Sequence, residues 1–144
     1  MVKAGYANGA AEGRPLTNEE KLAMIADAEV AFGKFLDALK VNWREDPNSD
    51  KTPYRVAKAY VNDLWAGRYN GPPSITGFPS DGYDGMVFEG GIPLTSMCSH
   101  HHQPVKGVCY IGLLAGVKVI GLSKYTRIAQ WCARRGTCLL YTSA

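Results

Sequence analysis

Val105-Lys106-Gly107-Val108-Cys109-Tyr110-Ile111-Gly112 decides the fold class. Val105, Gly107, Cys109 and Ile111 alternate with Lys106, Val108, Tyr110 and Gly112, and a Gly116 turn leads into Val117, Val119 and Ile120. A side-chain period of two marks a strand, so this stretch predicts a hairpin with one face well buried and the other mixed. Val87, Phe88, Ile92, Leu94 and Met97, interrupted by Gly90-Gly91 and Pro93, carry the extended character back to Met86. Upstream of that the period is helical. Thr17 and Glu20 form a capping-box pattern, and Leu22, Ile25, Phe32, Leu36, Leu39 and Trp43 recur at helical spacing, predicting a long amphipathic helix to about Trp43. Glu45, Asp46, Pro47, Asn48 and Ser49 supply turn chemistry. Thr52-Pro53 reads as an N-cap with proline at the first helical position, opening a second helix with Val56, Tyr60 and Leu64 as its stripe and Gly67 as its terminator. Ser123 is placed to cap a last helix in which Ile128, Trp131 and Cys132 face the core. Helices first and strands later argue α+β rather than alternating βαβ units.

A chain of 144 residues fits one domain. Hydrophobic residues at 46% and charged residues at 20% are ordinary for a globular chain and exclude a disordered or fibrous one. No apolar run approaches the ~20 residues that a spanning helix needs, and the start lacks the order of a signal peptide, so no membrane partner is expected. The net charge of +3 suits an anionic small molecule and gives no clustered basic stripe for nucleic acid. Four cysteines without a secretion signal read as thiols or metal ligands in a reducing, cytoplasmic setting. Residues 1–15, rich in Gly and Ala, read as a mobile arm, and residues 16–135 as the domain. The stretch from Gly67 to Gly85 reads as a long loop dense in Gly and Pro. Residues 136–144 read as a non-native tail: Cys138-Leu139-Leu140-Tyr141-Thr142-Ser143 is the translation of TGT CTC TTA TAC ACA TCT, the end of a transposon adapter, which implies a truncated reading frame. Different synonymous codons in the coding DNA would sink that reading.

Three constellations carry chemistry. In Cys98-Ser99-His100-His101-His102, a thiolate and an imidazole three positions apart can reach one Zn²⁺, which accepts mixed S and N donors. All three histidines of the chain stand here; the plain alternative is a buried thiol beside surface histidines. Gly121-Leu122-Ser123-Lys124, followed by Arg127, lies at a strand-to-helix junction, where unpaired N–H groups and the dipole favour phosphate; the plain alternative is a serine N-cap on a solvated basic face. Arg55 and Lys58 share a helix face, as a third cationic pair or as an exposed one.

Together Thr52-Pro53-Tyr54-Arg55-Val56-Ala57-Lys58, Cys98-Ser99-His100-His101 and Gly121-Leu122-Ser123-Lys124-Tyr125-Thr126-Arg127-Ile128 resemble, in order and separation, the GTP cyclohydrolase I family. The resemblance covers roughly Thr17 to Arg135 and implies a T-fold (tunnelling fold) subunit, with N-terminal helices preceding an antiparallel sheet. It implies homo-oligomeric rings that share active sites, typically decamers, and conversion of GTP and water to 7,8-dihydroneopterin triphosphate and formate. By matching position, Cys98 and His101 would be two of the zinc ligands and His100 a proton-transfer residue. Ser123, Lys124 and Arg127 would hold the triphosphate, with Arg55 and Lys58 completing the clamp from a neighbouring subunit. Ser99 stands where the family usually has Glu, and the family's guanine-reading glutamate, second catalytic histidine and third zinc ligand lie beyond the equivalent of Arg135. Cys109 and Cys132 do not match that ligand and read as core residues. This chain is therefore expected to be inactive and poorly metallated, and its full-length parent an enzyme. The alternatives are a non-catalytic, metal-supported nucleotide-binding protein, another T-fold enzyme acting on a pterin or deazapurine, and, last, a zinc-finger module.

Overall fold

The computed structural model describes residues 13–136; most of the proposed arm and tail lies outside them. Helix α1 (Asn18–Ala38) opens with the capping box: the Glu20 N–H donates to Thr17 Oγ1 at 3.2 Å, and the Thr17 N–H donates to Glu20 Oε2 at 2.8 Å. The helix stops short of the expected Trp43. Lys40 takes a left-handed φ of 60°, and the chain doubles back so that Trp43 Nε1 donates to Asp37 Oδ1 at 2.9 Å. Trp43 keeps a helical spacing yet reaches the helix from outside it, lying over Gly33, where a Cβ would sit 3.1 Å from the indole. Arg14, the last part of the expected arm that is described, pairs with Glu20, and Leu16 is buried with its N–H on Tyr69 O at 2.9 Å.

Helix α2 (Thr52–Ala59) carries proline in its first turn as expected, but the cap position is Lys51 and Thr52 is already helical, without a side-chain cap. The helix runs into a π-turn (Tyr60–Leu64) and then α3 (Ala66–Tyr69). Gly67 therefore does not terminate the second helical stretch. It lies inside α3 because a Cβ there would meet Trp131 O at 2.0 Å, and its N–H donates to Arg134 O at 3.2 Å. This glycine is a close helix-to-helix joint. Ile25, Ala57 and Val61 form the core of this helical layer, with Met24, Ala28 and Tyr69 against them. Full burial of a side chain such as Val61 stabilises by about 1.5–3 kcal/mol.

The sheet layer differs from the expected hairpin in its pairing. Strand β3 (Pro104–Leu114) pairs antiparallel with β2 (Met86–Met97), from Met86 opposite Leu114 to Met97 opposite Pro104. Strand β4 (Lys118–Ile120) pairs instead with β1 (Gly77–Pro79), a short strand inside what the sequence reads as loop. Alternation identifies a strand; it does not choose the partner, and a β2 as long as β3 leaves β3 no free edge on that side. A register shift between Glu89 and Ile92 falls at Gly90-Gly91, where Gly91 takes a φ of 69° that only glycine adopts freely.

Helix α4 (Leu122–Ala133) lies over β2 through Tyr125, Ala129 and Ala133, not through Ile128, Trp131 and Cys132. Ile128 and Trp131 are half-buried and Cys132 is exposed, which corrects its reading as a core residue. Alanines at that face let the helix approach closely, and Ser96 Oγ donates to Ala133 O at 2.6 Å. Trp131 turns to α3, where its Nε1 donates to Asn70 O at 3.0 Å. Val87, Leu94, Cys109, Ile111 and Ile120 surround Ile92, Tyr125 and Ala129 as the second core, so Cys109 does pack as expected. Ser123 is not a cap: Gly121 occupies that position. The order of helices and antiparallel strands is the α+β arrangement that the sequence implies.

Candidate functional site

The β2–β3 connection carries the first constellation. Cys98 closes the ladder, its N–H donating to Gln103 O at 2.9 Å, and the His102 N–H donates back to Cys98 O at 3.0 Å. Ser99, His100 and His101 thus occupy a tight turn, ended by His102 at a left-handed φ of 53°. Cys98 Sγ lies 3.8 Å from His100 Nδ1, a thiol and imidazole within weak hydrogen-bond reach. The His100 and His101 rings are 6.2 Å apart between centroids. Cys98 is half-buried and both histidines are exposed. Among the described residues no group of three His, Cys, Asp or Glu side chains is gathered for a metal ion. The fit to Zn²⁺ is therefore partial: one thiol and one imidazole of suitable chemistry stand on the same turn, and a closed donor set does not.

Sequence reasoning missed two residues here, both of which meet His102. Tyr60 Oη is 3.2 Å from His102 Nδ1, and Trp65 meets the same imidazole edge-on at 5.2 Å between centroids. Burial pushes the Tyr60 hydroxyl pKa up, so it stays protonated and able to donate. No local signal announces a π-turn, and only the proximity of the three rings exposes the arrangement. Beside it opens a cavity of about 620 Å³, lined chiefly by apolar side chains of α1, α2 and the π-turn and, at one side, by His101, His102 and Gln103.

The second constellation stands apart. At the start of α4, Gly121 offers no side-chain cap; the Lys124 N–H donates to Gly121 O at 2.8 Å, which leaves the Leu122 and Ser123 N–H groups to solvent or to an anion. Ser123 and Arg127 are exposed and Lys124 is half-buried. Arg127 lines a separate cavity of about 230 Å³ with Gly67, Asn70, Gln130 and Arg134. Ser123, Lys124 and Arg127 do not line the cavity beside the histidines. On α2, Arg55 donates to Asn48 O at 3.1 Å and Lys58 lies over the Tyr54 ring at 5.9 Å, both side chains exposed. The structure thus gathers Cys98, His100 and His101 on one turn and Ser123, Lys124 and Arg127 on one helix end.

A family model described as GTP cyclohydrolase I matches residues 28–138. Curated relatives named GTP cyclohydrolase 1 include that of Corynebacterium glutamicum, 40% identical over 128 residues, covering 85% of this chain and 59% of the relative. That of Shewanella denitrificans is 36% identical over 121 residues, covering 83% and 54%. That of Aeromonas salmonicida is 39% identical over 92 residues, covering 62% and 42%. The chain spans about half the length of these relatives. No helix among the described residues is long and apolar enough to cross a membrane.

Proposed function

This chain belongs to the GTP cyclohydrolase I family, and on that premise we propose that the whole protein converts GTP and water to 7,8-dihydroneopterin triphosphate and formate. The observation that carries the reading is the one tight turn that bears Cys98, His100 and His101, with His101 lining the adjoining cavity of about 620 Å³. Cys98 and His101 would hold Zn²⁺, with further donors from outside the described residues. When bound, Zn²⁺ supplies Lewis-acid activation of water near neutral pH. The His100 imidazole, one residue from His101, would carry protons during purine ring opening and formate loss. Ser123, Lys124, Arg127 and the Leu122 and Ser123 N–H groups at the start of α4 would bind the triphosphate and orient the base.

Within one chain Arg127 of the cationic helix end and His101 of the turn line different cavities. That separation supports a site shared between copies, in a homo-oligomer such as a decamer, with Arg55 and Lys58 of one copy reaching the triphosphate held by another. Free thiols at Cys98, Cys109 and Cys132 suit a reducing, cytoplasmic setting. The present 144 residues, with two metal donors on the turn, are expected to release no formate from GTP. The test is to express the chain with its native continuation and zinc, then assay formate together with a fluorescent oxidised pterin. Both products establish the reaction. Tight GTP binding with neither product would favour the second reading, a non-catalytic nucleotide-binding protein, which Ser99 beside Cys98 motivates. Robust turnover by the 144 residues alone would refute their expected inactivity.

A further inference from the structure

In an α-helix, residues five apart point roughly 140° away from each other, since each residue turns the helix by about 100°. Tyr60 and Trp65 are five apart, yet their rings meet edge-on at 5.1 Å between centroids. The π-turn makes this possible: the Trp65 N–H donates to Tyr60 O at 2.9 Å, the five-residue spacing of a π-helix, which widens the turn and brings both side chains to one face. The face they make meets a single side chain of the β2–β3 connection, His102, through the Tyr60 Oη to His102 Nδ1 contact at 3.2 Å and the Trp65 ring at 5.2 Å. His102 is also the residue that ends the turn in a left-handed conformation, with its N–H returned to Cys98 O. Fixing its ring therefore fixes the turn's closing backbone.

We infer that Tyr60 and Trp65 are positioning residues, and that the π-turn is a latch holding the 98–103 connection in its metal-receiving shape through His102. The metal part of this statement rests on the zinc reading above; the latch itself does not. Helical and sheet layers have separate cores, so without such a contact the tip of a hairpin extending beyond its own core would sample other turn conformations. The latch ties that tip to the helical core through Val61, which lies in the π-turn and is buried.

The experiment uses the full 144-residue chain and two mild variants. Tyr60→Phe deletes the hydroxyl and keeps the ring; His102→Asn keeps a residue that tolerates left-handed φ and deletes the imidazole. Amide hydrogen exchange is read without metal at residues 98–103, with residues of α1 and α4 as internal controls. The expected result is exchange about five- to tenfold faster at Cys98 and His102 in both variants, the scale of one lost hydrogen bond, with the controls unchanged. Co²⁺ is then titrated, and the thiolate-to-Co²⁺ absorption band is expected to need several-fold more metal in each variant. Unchanged exchange at 98–103 in both variants would overturn the latch. Faster exchange with no Co²⁺ band even in the parent chain would support the latch and refute the metal reading, so the two failures are distinct.

Discussion

The turn at residues 98–103 and the start of α4 both carry polar side chains suited to chemistry, but they are held in opposite ways. The turn is clamped by its own backbone bonds and by Tyr60 and Trp65 from another layer. The α4 start has a bare glycine cap and exposed Ser123 and Arg127. A metal needs donors fixed in advance, because its geometry is demanding. A flexible triphosphate can be met by adaptable cations that order when it arrives. The contrast thus follows the proposed ligands, and it depends on the joint between layers at Gly67.

The largest effect should come from breaking that joint. Gly67→Ala places a Cβ against the Trp131 carbonyl, and a loss of about 3 kcal/mol or more in denaturant unfolding is expected, with α3 and α4 separating. Stability within about 1 kcal/mol of the parent would show that the layers are not coupled there. Lys124→Ala should weaken GTP binding about tenfold in calorimetry, while Co²⁺ uptake at the turn and the unfolding midpoint stay as in the parent. A matching fall in Co²⁺ uptake would merge the two regions into one site. Tyr125 is buried in the sheet core with its hydroxyl unpartnered among the described residues, so Tyr125→Phe should stabilise by about 1 kcal/mol. A loss of stability would reveal a partner for that hydroxyl.

The smallest effect separates the layers by pH. Glu20, hydrogen-bonded by Arg14 and by the Thr17 N–H, has its pKa lowered to about 2, and Asp37, held by Arg44 and Trp43, also to about 2. Both groups lie on α1, far below the ordinary carboxylate range near 4. A depressed folded-state pKa contributes stability that is present above about pH 4 and lost as pH falls towards 2. The double variant Glu20→Gln, Asp37→Asn should therefore flatten the acid limb of the unfolding midpoint between those values. An acid limb identical to the parent's would remove these pairs from the account.

How much of this was legible follows from what each signal encodes. The capping box at Thr17 and Glu20 is local and appears as read. The location of Cys98 and the histidines at a strand end is likewise local, and the structure puts them on the connection it implies. Strand partners are not local, so β4 went to β1 rather than to β3. The end of α1 was hidden because Leu39 and Trp43 keep helical spacing while Lys40, no glycine, makes the left-handed turn. Gly67 looked like a stop because its purpose is a contact with a helix more than sixty residues away. The face of α4 was misread because alanines, weak in hydrophobicity, are chosen there for closeness. Residue chemistry alone offers metal binding at Cys98 and the histidines and phosphate binding at Ser123, Lys124 and Arg127, each beside a plain alternative; the part proposed for each residue is what the family resemblance implies.

The most direct test follows amide chemical shifts of the 144-residue chain as Zn²⁺ and then GTP are added. The expected result, for the chain held monomeric by dilution, is two separate footprints, Zn²⁺ perturbing residues 98–102 and GTP perturbing residues 121–127. A single shared footprint, or Zn²⁺ leaving residues 98–102 unmoved, would contradict the division between a preset donor turn and an open cationic helix end.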